Sequence, residues 1–332
     1  MRVRHPAAGP AQVVALDVGG THIKATVLAA DRSVLHAESA DTRADRGPDA
    51  ALENVLGLAG RLVRRFRPAA VGIAVPGIVD EDAGVCRYAA NLGWRDLPVR
   101  QWAEEELGLP VALGHDVRAG GLAEARLGAG RGLRSFLFVP VGTGIAGAVV
   151  VNGRALTGAH GGAGEVGHLV VRPDGPPCGC GGRGCLEAVA SASAVARRYR
   201  QLAGLPADEH VPAEQVLQRA GAGDETAGRV WREAVSALAD GLVTALTLVD
   251  PERVVIGGGL ARAGAALLDP LRTAVAERLT FQSRPELVRA RLGHRAGSLG
   301  AGLLAQDLLR RPAGRTTADR LRPPGGAARS SP

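Results

Sequence analysis

Glu165-Val-Gly-His-Leu-Val-Val-Arg-Pro-Asp-Gly-Pro-Pro-Cys-Gly-Cys-Gly-Gly-Arg-Gly-Cys-Leu-Glu187 is the decisive stretch of this 332-residue chain. It carries His168 and three of the four cysteines, Cys178, Cys180 and Cys185; the fourth is Cys86. The cysteines stand in a run of Gly and Pro that cannot pack by itself, so the loop needs a staple. One His and three Cys form a complete tetrahedral zinc ligand set with no position left for water, which marks a structural zinc and not a catalytic one. Gly179, Gly181, Gly182 and Gly184 let the backbone bend until the thiolates face one ion. The competing reading is a disulfide with a spare thiol. It is disfavoured because the amino terminus has no signal-peptide core and disulfides are rare in reducing compartments. The flanks matter as much as the loop. Glu165 and His168 enter it, and Glu187 leaves it where an apolar helix starts at Leu186, Ala188 and Val189. A zinc clamp there holds two carboxylates and an imidazole against each other, which builds a rigid polar pocket.

The rest of the composition bounds the class. The chain is long enough for two domains. Its 46% hydrophobic content is that of a soluble globular protein, and no apolar run reaches membrane-span length, so a cytoplasmic protein without membrane contact is expected. Aromatic residues make up only 3%, so Ala, Val, Leu and Ile must build the core. The net charge of +7 resembles a nucleic-acid signal until it is located. Arg2 and Arg4 at one end, and six arginines against Asp319 over residues 310–332, account for all of it. Residues 11–309 are therefore formally neutral, and no nucleic-acid partner is expected. Residues 1–10 read as a flexible start, and the Pro-, Gly- and Ser-rich basic tail 310–332 as disordered.

Taken in order, residues 12–17 read as a buried strand, followed by Val18-Gly19-Gly20-Thr21 and a returning strand. The tip of such a hairpin exposes backbone N–H groups that hold phosphate oxygens, with Thr21 adding a hydroxyl and Asp17 able to orient hydrated magnesium. Gly-Gly-Thr is also an ordinary hairpin turn. Further strands are expected at 33–39, 70–75 and 110–113, with helices over Pro48–Phe66 and Val99–Leu107 and a loop at Asn91-Leu92-Gly93-Trp94. The third of these strands ends at Gly114-His115-Asp116, ahead of a helix over Val117–Leu127. Asp116 reads both as a helix N-cap and as a general base at a strand end; His115 reads as a loop or core histidine. At Arg134–Val141 the pattern restarts: strand, Gly142-Thr143-Gly144, and a second strand Ile145–Val151. Two copies of one unit predict a duplicated α/β fold with two phosphate hairpins facing one nucleotide. Helices are expected over Cys185–Tyr199, Ala213–Arg219 and Glu225–Val249. A strand at Arg253–Ile256 then ends in Gly257-Gly258-Gly259, which lets a flat ligand such as adenine approach the backbone or simply makes a tight turn. A strand at Leu287–Arg291 and a helix at Ser298–Leu309 close the folded part.

With these residues in view, the chain resembles the ROK family (repressors, open reading frames, kinases), and within it the bacterial glucokinases, over roughly residues 12–308. The resemblance rests on Asp17-Val-Gly-Gly-Thr, Asn91-Leu-Gly-Trp, Asp116, Gly142-Thr-Gly-Ile, Gly164-Glu-Val-Gly-His168, the whole zinc loop to Glu187, and Ile256-Gly-Gly-Gly259. It implies the actin-like ATPase (ribonuclease H-like) fold, a duplicated fold of two α/β domains around a cleft. The small domain would hold residues 11–115 plus about 297–309, and the large domain 116–296. It implies transfer of the ATP γ-phosphate, with magnesium, to the 6-hydroxyl of glucose or a related hexose. Carried over by position, Asp116 is the catalytic base and also a sugar contact. Asn91, Glu165, His168 and Glu187 match the other sugar-binding positions, and His168, Cys178, Cys180 and Cys185 the zinc ligands. Asp17, Gly19, Gly20, Thr21, Lys24, Gly142, Thr143, Gly144, Gly257, Gly258 and Gly259 match the nucleotide side. The resemblance further implies a homodimer or homotetramer.

The chain departs from the family pattern in two places. His115 stands where Asn commonly precedes the catalytic Asp, and Ala146 and Ala148 interrupt a richer glycine run in the second hairpin. Three other readings compete. A family repressor would need a DNA-binding domain, and the 16 residues before Asp17 are too few for one. A kinase for N-acetylmannosamine, N-acetylglucosamine, fructose or allose would share these motifs. A non-catalytic sugar sensor is disfavoured by the presence of Asp17 and Asp116.

Overall fold

The computed structural model describes residues 12–310, except Ala207 and His210. The expected flexible segment 1–10 and residues 311–332 of the expected tail lie outside the described residues. Arg310, placed in that tail by its composition, is the last residue of a helix.

The first half begins with an antiparallel meander of β1 (Val13–Val18), β2 (His22–Leu28) and β3 (Val34–Asp41). Helix α1 (Pro48–Phe66) then crosses to β4 (Ala70–Val75), which pairs with β1 in parallel. α1 starts with Pro at its first position and lays Leu52, Val55, Leu58, Ala59 and Leu62 against the sheet, a spacing that keeps one stripe apolar. Next, β5 (Ile78–Asp80), β6 (Val85–Ala89) and β7 (Trp94–Leu97) form a separate three-stranded antiparallel sheet. Helix α2 (Val99–Leu107) leads into β8 (Val111–His115), parallel to β4. The strand order is β3-β2-β1-β4-β8. Every residue of β4 is buried, as a central strand covered on both faces requires, whereas β3 alternates and lies at the edge.

The second half repeats this plan. After α3 (Asp116–Leu127) come β9 (Ser135–Pro140), β10 (Ala148–Val151) and β11 (Arg154–Ala155). Four helices follow: α4 (Leu186–Ala190), α5 (Ala192–Leu202), α6 (Ala213–Gly221) and α7 (Glu225–Val249). Then β12 (Arg253–Gly257) pairs in parallel with β9, α8 (Ala265–Arg278) crosses over, and β13 (Glu286–Arg289) pairs in parallel with β12. The strand order β11-β10-β9-β12-β13 matches the first sheet position for position. Helix α9 (Ala296–Arg310) returns to the first sheet, where Leu299, Leu303 and Ala305 bury against Val13, Leu28 and Ala70. α3 packs on α9 through Leu122 and Ala123 and on the second sheet near Phe136 and Phe138. The two helices are thus the layer that joins the halves, giving two sheet-containing α/β domains.

Local differences from the sequence reading have physical causes. The strand expected at 110–113 runs on to His115, and His115, not Asp116, is the N-cap of α3: its ring accepts the Arg118 N–H. The single helix expected over Cys185–Tyr199 breaks at Ser191, whose hydroxyl accepts the Ala194 N–H and starts α5 afresh. The loop expected at Asn91–Trp94 is a single 3-10 turn over Ala90–Leu92 leading into β7. The return strand of the second hairpin starts at Ala148 instead of Ile145, because the Ile145 N–H is drawn to a side chain elsewhere.

Candidate active site

Asp17 sits near the end of β1 directly across from Lys24 on β2, with Lys24 Nζ 3.8 Å from its Oδ2. Burial and the negative charge of Asp116 push the Asp17 carboxyl up to about 6, against the pull of Lys24. Asp116, the first residue of α3, is also pushed up to about 6, chiefly by burial; the Val117 N–H, Arg118 and Lys24 oppose this. Its Oδ1 accepts the Val117 N–H at 2.7 Å and faces His115 Nε2 at 3.4 Å. Two carboxylates and the only lysine of the chain therefore form one charged group.

The first hairpin turn, Gly19–Thr21, is closed by the Gly19 N–H donating to the His22 carbonyl at 2.9 Å and the Thr42 hydroxyl donating to the Gly19 carbonyl at 2.6 Å. Asn91 lies over this turn: a β-carbon placed on Gly20 would stand 3.1 Å from Asn91 Cβ. The second turn, Gly142–Gly144, is closed by the Gly142 N–H to the Gly144 carbonyl at 2.9 Å. It packs on the Gly257–Gly259 turn through Val141, which donates to the Gly257 carbonyl at 3.0 Å and accepts the Leu260 N–H at 2.9 Å. The glycine turns of the second half are thus one continuous surface.

Glu187 joins the Cys-rich loop to that surface. Its Oε2 accepts the Ile145 N–H at 2.8 Å, and Gly144 leaves room for it, since a β-carbon there would stand 2.4 Å from Oε2. Glu165 precedes a 3-10 turn over Val166–His168, and its Oε1 stands 4.0 Å from His115 Nε2. One imidazole therefore bridges the segments that carry Asp116 and Glu165.

The ligand atoms of His168, Cys178, Cys180 and Cys185 all lie within 4.8 Å of one another. His168 Nδ1 is 3.7 Å from Cys178 Sγ, and Cys180 Sγ is 3.7 Å from Cys185 Sγ, too far for a disulfide. Thiolates about 2.3 Å from a zinc ion at tetrahedral corners stand about 3.8 Å apart, so the group fits such an ion. The loop backbone supports it: the Cys178 N–H donates to the Gly182 carbonyl and the Leu186 N–H to the Leu169 carbonyl. Gly184 adopts φ +66°, and a β-carbon on it would collide with the Arg172 carbonyl. With Nδ1 on the thiolate side, His168 Nε2 is left for a different partner.

The sequence-derived residues are thus gathered into groups: Asp17 paired with Lys24 and within the field of Asp116, Gly20 against Asn91, Gly144 against Glu187, and His168 with the three cysteines. Sequence reasoning singled out His115 only as a loop or core histidine and a departure from the family pattern, and missed its neighbours Arg118 and Glu81. Arg118 is buried and donates to Glu81 Oε1 at 2.8 Å and to the Gly161 carbonyl at 2.8 Å. The available signal was a His beside an Asp at a strand-to-helix junction.

Comparison with known proteins agrees with this geometry. The ROK family model matches residues 13–308. A glucokinase of Thermotoga maritima is 34% identical, over 89% of this chain and 98% of its own length. An N-acetylmannosamine kinase of Citrobacter koseri is 35% identical, over 88% of this chain and 98% of its own. The crystal structure of a ROK family glucokinase from Streptomyces griseus, in complex with glucose and AMPPNP, superposes with a TM-score of 0.78 at 29% identity, covering 89% of this chain and 99% of that one. With its zinc-type loop, its paired glycine hairpins and a family match along nearly the whole folded chain, the protein belongs to the ROK family.

Proposed function

We propose that this ROK family sugar kinase is a glucokinase, moving the γ-phosphate of ATP to the 6-hydroxyl of glucose. The observation that carries the reading is the position of Asp116, between the charged pair at the first hairpin and the segment bearing Glu165. The sugar oxygen attacks phosphorus while its proton passes to Asp116 and the bond from phosphorus to the ADP oxygen breaks. Such transfer needs mainly in-line positioning and charge neutralisation. Asp17 is the carboxylate we assign to orient the water shell of the magnesium that would accompany ATP and neutralise phosphate charge. Gly19, Gly20, Thr21, Lys24, Gly142, Thr143, Gly144 and Gly257–Gly259 form the nucleotide side.

On the sugar side, Asn91, Glu165, His168 and Glu187 receive the hydroxyls. A buried carboxylate left unpaired by a wrong sugar costs several kcal/mol, which gives selectivity. The His168, Cys178, Cys180 and Cys185 group holds a structural zinc that keeps His168 and Glu187 in register. We take residues 11–115 with 297–309, and residues 116–296, as the two lobes that close over the sugar and exclude water. We place the enzyme in the cytoplasm as a homodimer or homotetramer; among the described residues no helix is long and apolar enough to cross a membrane.

A second reading is N-acetylmannosamine phosphorylation, favoured by the 35% identical Citrobacter koseri relative. A coupled ADP-release assay with magnesium-ATP and a hexose panel separates the two. Glucose is expected to have the highest kcat/KM. Asp116→Asn is expected to lower kcat by about 10³-fold, within the usual range for a lost general base. Preference for N-acetylmannosamine overturns the substrate, and an active Asp116→Asn overturns the base.

A further inference from the structure

His115 is 4% exposed, and its ring is held on both sides. Nδ1 accepts the Arg118 backbone N–H at 3.3 Å. An accepting ring nitrogen carries no proton, so the proton of the neutral imidazole sits on Nε2. Burial, reinforced by the Arg118 charge, holds the ring down at about 4, so it is neutral at physiological pH. Nε2 faces Asp116 Oδ1 at 3.4 Å and Glu165 Oε1 at 4.0 Å.

We propose that His115 is a positioning residue for Asp116: its Nε2–H tethers Oδ1, beside the Val117 N–H, so that Oδ2 is the oxygen turned to the reacting hydroxyl. The inference rests on the kinase reading above. Oδ1 is the right oxygen for the tether because it already accepts the Val117 N–H at 2.7 Å. The 3.4 Å separation exceeds that of a strong hydrogen bond and is of the kind that shortens in a substrate complex.

The surroundings lock the ring. The His115 N–H donates to Glu81 Oε1 at 3.3 Å, and the Arg118 guanidinium donates to the same oxygen at 2.8 Å. Arg118 also donates to the carbonyls of Gly161, at 2.8 Å, and Val79, at 3.3 Å. It thereby joins α3 to β5 and to the segment that leads into Glu165. The charged groups facing His115 are Glu81, Glu165 and Asp116 against Arg118; those facing Asp116 are Asp17 against Arg118 and Lys24.

The test is His115→Ser in the full chain. Ser keeps an acceptor at the N-cap, so α3 stays capped, and its side chain is too short to replace the Nε2 donor. The expected result is a folded protein, KM for hexose and ATP within about twofold, and kcat lowered about 10- to 100-fold by the misplaced base. Loss of a donor to the charged carboxylate also moves the acidic limb of the kcat profile to higher pH. His115→Asn, which keeps the cap acceptor and adds an amide donor, is expected to retain most of kcat. Unchanged kcat in His115→Ser, or a loss confined to KM, overturns the proposal. Imidazole nitrogen NMR of the wild type, assigned by difference from His115→Ser, needs no turnover. A neutral Nε2–H tautomer at pH 7 supports the tether; an Nδ1–H tautomer or an imidazolium overturns it. Wild-type protein that phosphorylates no hexose overturns the kinase reading instead, and the tautomer then still decides the contact.

Discussion

The two glycine hairpins descend from one plan and have been put to different use. In the first, β1 and β2 pair without a break from Val13↔Leu28 to Val18↔Ile23, and the turn closes on itself. In the second, β9 and β10 pair only from Ser135↔Val151 to Phe138↔Ala148, with a lone bridge at Val141↔Ile145 near the tip. The residues between are occupied: Ile145 donates to Glu187, and Gly147 lies against Gly164 and Val166. The first hairpin is a closed turn beside a charged pair. The second has given up ladder hydrogen bonds to hold the carboxylate that leaves the zinc-type loop. The difference teaches that, on the kinase reading proposed above, the sugar side of the site is built largely on the second half and its geometry is coupled to the nucleotide turn through the Ile145 amide.

The largest effect expected from breaking this asymmetry is at Gly144. Gly144→Ala puts a β-carbon where Glu187 Oε2 lies 2.4 Å away, so the carboxylate must leave the Ile145 N–H. Hydrogen bonds to charged groups are worth about 1.5–3 kcal/mol, so kcat/KM for the hexose is expected to fall about 10- to 100-fold. Gly20→Ala, with its nearest neighbour at 3.1 Å, is expected to cost less. Equal losses in steady-state kinetics at both positions would show that the hairpins are equivalent.

Removing the metal comes next. Chelation verified by metal analysis is expected to loosen the loop and raise the hexose KM roughly tenfold, the equivalent of about 1.4 kcal/mol, with a lower melting temperature. The KM for ATP should move less, because the first hairpin is remote from the loop in sequence and closed on its own. Hexose affinity by calorimetry that survives complete chelation would uncouple Glu187 from the loop.

The smallest effect is on pH and stability. Asp116 must be ionised to act as base, so kcat is expected to fall as pH drops through about 6. The same shift has the opposite sign for stability. The folded state holds this proton up to about 6, whereas the unfolded chain loses it near the ordinary value of 3.8. The ionised carboxylate therefore costs stability, increasingly as pH rises from about 4 to 6 and fully above that. Asp116→Asn is expected to raise the melting temperature at pH 8 by roughly 2–5 °C despite its loss of kcat. A lower melting temperature by calorimetry would show that burial does not strain the carboxylate.

Much of the fold was legible because it depends on local pattern. β1 and β4 are short apolar runs with buried side chains on both faces, α1 and α7 carry a continuous apolar stripe, and each keeps that character in any context. The metal-type group was legible because three cysteines within eight residues, with a nearby His, admit few geometries. The sheet of β5, β6 and β7 was not, because strands of three to five residues with mixed polarity carry no period to read.

The sequence by itself determined the duplicated plan, the Cys-rich loop and the candidate residues for the site, because each is written in contiguous residue types. Only the tertiary structure decided how they are joined. That Ile145 caps Glu187, that Lys24 balances Asp17, and that the buried His115 ring stands between Asp116 and Glu165 all depend on atoms brought together from distant segments. Hydrogen bonds and charge interactions act over a few ångströms of space, whatever the separation along the chain.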